Sequence, residues 1–224
     1  VAYISPSFSG FTLTAAYSNK LSGQESSPVS NNVATSGVTN GNDTWVAAFL
    51  AQYAAGGLNL GLNYHYAKFQ APSILGGVLQ LDDTYNVTLG GNYDFKSFKL
   101  HGAIAYNDTS FVNTITNNAD LEIWNYMVGA TVPVGKFDIK GAIYYSDADQ
   151  FGDLWQYAIG ANYNLSKRTD IYTAYSFVDA DQQRLALSLL TSGSGLGGSA
   201  GVGDASQNGM GYAQGFQLGL RHKF

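Results

Sequence analysis

Apolar and polar residues alternate with a period of two over most of the chain, and the alternation breaks at intervals. Residues 154–166 show it clearly, because Trp155, Ile159 and Tyr163 fall in one phase while Asn162 and Asn164 fall in the other. This period is typical of a strand with one apolar and one polar face. Such stretches predict eleven strands, at 1–5, 11–18, 45–55, 58–67, 84–95, 98–107, 124–134, 137–145, 154–166, 169–178 and 212–224.

The positions of the charged residues indicate what the apolar face contacts. Between the aromatic ends of the strands, charged residues such as Lys99, Asp138, Lys140 and Arg221 occupy only the polar phase. Lys or Arg at the middle of a bilayer costs ~2–4 kcal/mol but little near the headgroups. A bilayer therefore favours the exclusion of charge from the apolar phase between the aromatic ends. A soluble β-sandwich also alternates, but it does not require that exclusion. Charges in the apolar phase lie one step beyond a Trp or Tyr, at Asp43, Lys68, Asp108, Glu122 and Asp147.

The breaks between the predicted strands alternate between short and long. Short breaks such as Gly56–Gly57 and Val134–Gly135 alternate with longer ones, including 20–43, 109–120, 147–153 and 180–210. Outer-membrane barrels have short turns on the periplasmic side, long loops outside and an even number of strands. Eleven is odd, so we expect at least one strand upstream of Val1.

Composition narrows the possible functions. The chain has 224 residues, 14% aromatic residues, 12% charged residues and no Cys, which excludes disulfides, thiolate catalysis and Cys-ligated metal centres. Its net charge of -5 argues against a nucleic-acid partner, which favours a basic face. No stretch of ~18 apolar residues predicts a membrane-spanning helix. The sequence implies no cofactor.

Three segments are distinctive: Tyr3–Phe11, Leu165–Tyr172 and Gly219–Phe224. They resemble the Gram-negative general porin family, in its proteobacterial 16-stranded form. The resemblance covers the whole chain and implies an all-β, antiparallel transmembrane β-barrel, with residues 1–224 as a single domain that is incomplete at its N-terminus. The eleven strands would be the last of sixteen. The missing part, roughly five strands or on the order of 100–150 residues, would include the third loop that narrows the pore.

The resemblance also implies a function. It predicts a water-filled channel in the bacterial outer membrane for passive diffusion of small hydrophilic solutes and ions. The partners would be lipid, lipopolysaccharide and two further copies of the chain in a homotrimer. A substrate-specific channel and a structural or adhesive outer-membrane barrel are the alternatives, and conductance in planar bilayers would distinguish the adhesive protein from a pore.

Charged and titratable residues of the polar phase are the candidate pore lining. Fixed charge along a pore tunes ion selectivity, but charge near the periplasmic mouth could equally be solvated and have little effect on flux. The candidates are Lys99, His101, Lys136, Asp138, Lys140, Arg221, Lys223 and His65.

Catalytic and metal sites have weaker support. His65 and His101 point inward, but no nucleophile and base share one phase on adjacent strands with an orienting acid. The sequence therefore predicts no enzyme. Asp147–Asp149 and Asp179–Asp181 could bind a divalent cation through clustered oxygens, although ordinary loop charge explains them as well.

The last residues of the chain resemble the family's assembly signal, a terminal Phe preceded by apolar residues at alternate positions. The matching residues are Phe216, Leu218, Leu220 and Phe224, whereas His222 departs from the pattern. We predict that deletion of Phe224 strongly reduces the assembled protein in the outer membrane but leaves the conductance of assembled molecules unchanged. Semi-native gels and single-channel recordings measure the two quantities, and an undiminished amount of assembled protein would contradict the assignment.

Overall fold

The computed structural model describes residues 1–19, 45–68, 79–113, 119–149, 151–181 and 212–223. These residues form eleven antiparallel strands in one sheet, in which the spatial order of the strands is their order in the chain. No helix among the described residues is long and apolar enough to cross a membrane. The strands are β1 (Ala2–Ile4), β2 (Phe11–Ser18), β3 (Trp45–Ala55), β4 (Leu58–Lys68), β5 (Leu79–Asp94), β6 (Lys99–Asn113), β7 (Ala119–Val134), β8 (Phe137–Ala148), β9 (Gly152–Asn164), β10 (Thr169–Ala180) and β11 (Tyr212–His222).

All eleven predicted strands are present, but several extend further on the loop side than the alternation predicts. The predicted long break at 147–153 is wrong, because only residues 149–151 separate β8 from β9. The backbone ladder continues through the polar residues there, where Asp147 pairs with Asp153 and Ala148 with Gly152. Likewise, the break predicted at 109–120 is reduced to residues 114–118. Main-chain pairing does not require apolar side chains, so hydrophobic alternation ends before the strand does.

The turns on the opposite side are short, as predicted. Gly56–Gly57 alone separate β3 from β4, and Gly135–Lys136 alone separate β7 from β8. Gly135 has a φ of 62°, in the left-handed region that residues with a Cβ rarely adopt. A glycine at this position therefore permits the two-residue turn that brings the two strands together.

The described residues fall into two compact units. Unit 1 consists of Val1–Ala55, Leu60–Leu89 and Ala105–Ile123, and unit 2 consists of Gly56–Asn59, Gly90–Ile104 and Trp124–Phe224. Both units show the same division of side chains between an apolar face and a polar face.

The registers of the last four strands define the two faces of unit 2. Residues directly opposite each other in an antiparallel pair project to the same side of the sheet. One row on the apolar face contains Phe137, Tyr163, Ile171 and Leu220, and one row on the polar face contains Asp138, Asn162, Tyr172 and Gly219. The predicted phases of these four strands are therefore confirmed.

The apolar face is the more exposed of the two. On this face Ile159 is 61% exposed and Val128 is 57% exposed, whereas on the polar face Ser146 and Asp170 are buried. A soluble β-sandwich would instead bury residues such as Ile159 and Val128 in its core. The apolar face therefore requires apolar surroundings of the kind that lipid provides.

Aromatic residues on the apolar face of unit 2 form a band near each end of the strands. Near the loops, the ring of Tyr145 lies 4.5 Å from that of Trp155 and 6.1 Å from that of Tyr126, measured between centroids. Near the short turns, the rings of Phe137 and Tyr163 are 4.8 Å apart. Aromatic residues concentrate at both membrane–water interfaces, so the two bands mark the edges of an apolar zone.

Unit 1 repeats this arrangement. Near its loops the rings of Trp45 and Tyr66 are 4.7 Å apart, and near its short turns those of Phe11 and Tyr53 are 4.4 Å apart. The Tyr66 hydroxyl also donates a hydrogen bond of 2.8 Å to Asp83 Oδ2. Asp83, a carboxylate in the apolar phase of β5, therefore lies next to an aromatic residue near the loops. Of the five predicted charges beyond an aromatic residue, Asp43 lies outside the described residues.

We predict that Ile139→Arg on the apolar face destabilises the membrane-inserted protein by ~2–4 kcal/mol, because the guanidinium would enter the apolar zone. The yield of folded protein in lipid vesicles measures the effect. The sequence predicts Asn162→Arg as a tolerated change, but the structure places Asn162 beside two cations, as described below. The polar-face change Gln217→Arg is therefore the better control, and equal yields for Ile139→Arg and Gln217→Arg would contradict the assignment of the faces.

Candidate pore lining

The polar face of unit 2 carries an ion pair between β10 and β11. Arg221 lies directly opposite Asp170, to which its Nε and Nη2 atoms donate hydrogen bonds of 2.9 and 2.8 Å. The side chain of Asp170 is only 10% exposed, whereas that of Arg221 is 52% exposed. A two-pronged guanidinium–carboxylate pair fixes the orientation of both groups. The carboxylate is thus shielded from solvent, while the guanidinium remains accessible.

Asn162 connects this ion pair to a second cation. When its side-chain amide is oriented to satisfy both groups, Asn162 Oδ1 accepts hydrogen bonds from Arg221 Nη2 at 3.2 Å and from Lys140 Nζ at 3.3 Å. Lys140 of β8 and Arg221 of β11 therefore share one neutral acceptor from β9. Their mutual repulsion is reduced by the carboxylate of Asp170.

The polar side chains of Lys140, Asn162, Asp170 and Arg221 thus link β8, β9, β10 and β11. A separate hydrogen bond joins β9 to β8, in which Asn164 Nδ2 donates to Asp138 Oδ2 at 3.0 Å. Beside this network, a Cβ at position 219 would collide with the ring of Tyr172. Glycine at 219 therefore allows the Tyr172 ring to lie across the backbone of β11.

Two other predicted pore-lining residues lie on β6, with partners outside this network. Lys99 Nζ is 3.5 Å from Asp94 Oδ2, and both side chains are exposed. His101 Nε2 is 3.2 Å from Thr131 Oγ1. These contacts agree with the predicted polar phase of both residues but involve separate partners.

The remaining predicted pore-lining residues are more peripheral or lie in the other unit. Lys136 is an exposed residue of the β7–β8 turn, and Lys223 is exposed just beyond the end of β11. His65 is half-buried in unit 1, where its Nδ1 lies 3.4 Å from Asn63 Nδ2. Among the described residues, the structure therefore joins Lys140 and Arg221 of the eight candidates in one network, and it places Asp138 in a separate hydrogen bond with Asn164.

The structure also contains polar-face features that the sequence analysis missed. Leu154, Val178 and Ala180 are buried on this face near the loop ends, and Tyr144 packs against them. Leu154 and Val178 fall in the polar phase of their strands, but nothing in the alternation indicates burial there. Ser146 and Tyr144 both donate hydrogen bonds to Asn125 Oδ1, which adds a polar cluster next to this apolar one.

Metal coordination has no support from side-chain grouping. Within the described ranges, no three His, Cys, Asp or Glu residues are arranged to hold a metal ion. The acidic segments Asp147–Asp149 and Asp179–Asp181 lie at the loop ends of β8 and β10.

An exposed apolar face with two aromatic bands, opposite a charged polar face, is the geometry of a membrane-spanning β-sheet. A model of the family described as Gram-negative porin matches residues 1–183. The chain belongs to the Gram-negative porin family. The resemblance seen in the sequence is thereby confirmed, and so is the location in the outer membrane.

Two curated relatives are outer-membrane porins. Outer membrane porin protein 32 of Delftia acidovorans is 28% identical over 227 residues, which cover 100% of this chain and 56% of that protein. An outer membrane porin protein of Bordetella pertussis is 27% identical over 205 residues, covering 79% of this chain and 51% of that protein. The chain thus spans about half the length of the curated relatives that it matches.

Solved porin structures share the fold. The anion-selective porin from Comamonas acidovorans has a TM-score of 0.65 at 24% identity, covering 100% of this chain and 58% of that one. A porin structure refined at 1.8 Å has a TM-score of 0.62 at 16% identity, with coverage of 100% and 60%. OmpT of Vibrio cholerae has a TM-score of 0.53 at 15% identity, with coverage of 80% and 53%. The predicted all-β porin fold class is confirmed.

The two ion pairs of unit 2 should differ in their contribution to stability. Arg221→Gln leaves the nearly buried carboxylate of Asp170 without its cation, and we expect the free energy of unfolding to fall by about 1–3 kcal/mol. Lys99→Gln breaks an exposed pair, and because water screens that pair we expect the free energy of unfolding to fall by less than about 1 kcal/mol. Urea unfolding in lipid vesicles, followed by Trp fluorescence, measures both. A larger loss for Lys99→Gln would show that burial of Asp170 does not determine the cost.

Proposed function

We propose that this protein contributes its strands to a water-filled outer-membrane channel, through which small hydrophilic solutes and ions diffuse passively and without catalysis. The observation that carries this proposal is the arrangement of the sheet, whose apolar face is exposed while its polar face holds a network of charged residues. A charged polar face is costly to enclose in a dry interior, since its charged groups would lose their hydration there. Water along the polar face removes this cost, as in wide barrels with an aqueous interior.

The charged network of the polar face supports a role in ion selectivity. Lys140 and Arg221 are exposed, whereas Asp170 is recessed behind the guanidinium, so a passing ion meets the cations more directly than this carboxylate. The proposed pore lining also includes Lys99, His101, Asp138 and His65. The two remaining candidates, Lys136 and Lys223, lie outside the strands, and we do not include them in the lining. Asn162 is added to the lining because it holds the two cations together.

The proposed assembly has three copies in contact with lipid and lipopolysaccharide. OmpT of Vibrio cholerae, which shares the fold, has been solved in a trimer form. Exposed Phe216, Leu218 and Leu220 on the apolar face of β11 are consistent with a proposed assembly signal. Its fourth member, Phe224, lies outside the described residues.

Ion selectivity in planar bilayers tests the channel and its lining together. We expect Lys140→Glu to raise the permeability ratio of K⁺ to Cl⁻, because a carboxylate replaces an exposed ammonium on the polar face. Lys68→Glu makes the same change in net charge at the loop end of β4, on the apolar face, and should alter the ratio much less. The reversal potential in a KCl gradient measures the ratio. Equal shifts in the two variants would contradict the proposed lining, and a protein that inserts without conducting would contradict the channel.

A further inference from the structure

The charges of unit 2 are unequally distributed between its two ends. Eight of the chain's eleven Lys and Arg residues lie at or near the short turns of this unit: Lys96, Lys99, Lys136, Lys140, Lys167, Arg168, Arg221 and Lys223. Only three carboxylates accompany them, at Asp94, Asp138 and Asp170. The loop end has the opposite sign, since its described residues include no Lys or Arg but five carboxylates, at Asp147, Asp149, Asp153, Asp179 and Asp181.

The cations at the short-turn end fall into two groups. Lys99, Lys140 and Arg221 lie in strands on the polar face and have the partners described above. The other five are exposed, in turns or beyond the last strand, and have no ion pair among the residues that the structure describes. We call these five the basic rim: Lys96, Lys136, Lys167, Arg168 and Lys223.

The basic rim adjoins the aromatic band of the apolar face. In the sequence, Lys96 lies in the turn between Phe95 and Phe98, and Lys136 directly precedes Phe137. The rings of Phe95 and Phe98 stack on each other with their centroids 4.7 Å apart. Aromatic rings of such a band lie at the headgroup level of a bilayer. Lys side chains can lay their alkyl chains along apolar surface and extend the ammonium group to the interface. Lys96 and Lys136 can therefore reach the depth of lipid phosphates.

We propose that the basic rim binds the phosphate groups of anionic phospholipids in the leaflet that the short turns face. The proximity to the aromatic band favours a lipid headgroup over a soluble polymer, which would not need cations next to lipid-facing rings. Because none of the five is held in an ion pair within the described part of the chain, each cation is available to an external anion. Basic clusters beside a membrane-spanning segment attract anionic lipids in this way.

Native mass spectrometry of the protein in a neutral detergent, titrated with phosphatidylglycerol, tests the proposal. We expect Lys136→Gln/Lys167→Gln to weaken phosphatidylglycerol binding roughly tenfold. The matched control is Lys99→Gln/Lys140→Gln, which removes the same charge from the same end of unit 2 but on the polar face, and should bind as the unchanged protein does. Lys136→Arg/Lys167→Arg should restore binding, and phosphatidylcholine should bind weakly to every variant.

Several outcomes would overturn the proposal. One is an equal loss of binding in the rim and polar-face variants, because net charge alone would then explain it. Displacement of the lipid by an equal concentration of inorganic phosphate would indicate a site for free anions, and tighter binding of soluble polyglutamate would indicate a carboxylate polymer as the partner. If the rim variant does not fold, equal affinity of the unchanged protein for phosphatidylglycerol and phosphatidylcholine is the decisive negative result. Conductance is recorded separately, so failure of this proposal is distinguishable from failure of the channel.

Discussion

The hydrogen-bonded ladder between neighbouring strands is the interaction on which the other features of the molecule depend. Lipid offers no partner to backbone N–H and C=O groups, and each unsatisfied group there costs several kcal/mol. Within the sheet each inner strand satisfies its main chain through its two neighbours, as β10 does by pairing along its length with β9 on one side and with β11 on the other. Side chains are not needed for this task, so the two faces can adapt to different surroundings.

One register determines the chemistry of both faces. The alignment that places Ile171 beside Leu220 on the apolar face also places Asp170 beside Arg221 on the polar face. A shift of β11 by one residue against β10 would turn Arg221 to the apolar face and Leu220 to the polar one, which would break the ion pair with Asp170. The network of Lys140, Asn162 and Arg221 depends on the same alignment, because its members come from three strands. Order on the polar face is therefore a consequence of strand pairing.

Local periodicity accounts for what the sequence could predict. Successive side chains of a strand project to opposite faces, so the phase of Ile159 or Asn162 can be read within a single strand. Two kinds of feature could not be predicted in this way. The loop ends of β8 and β9 continue through Asp147 and Asp153, whose pairing depends on the backbone alone. The partner of Asp170 is Arg221, which follows only after residues 181–211, and the length of that break hides the register from a single sequence.

The order of the strands in the sheet also bears on how the sheet forms. Each strand lies next to its sequence neighbours, so the chain entropy lost in joining two strands depends only on the break between them. That loss grows with the logarithm of loop length, and it is therefore smallest where Gly135–Lys136 join β7 to β8 and larger where residues 181–211 join β10 to β11. Isolated hairpins form in about 1–10 μs. We therefore expect folding to begin as separate hairpins closed at the short turns, which then associate edge to edge across the longer connections.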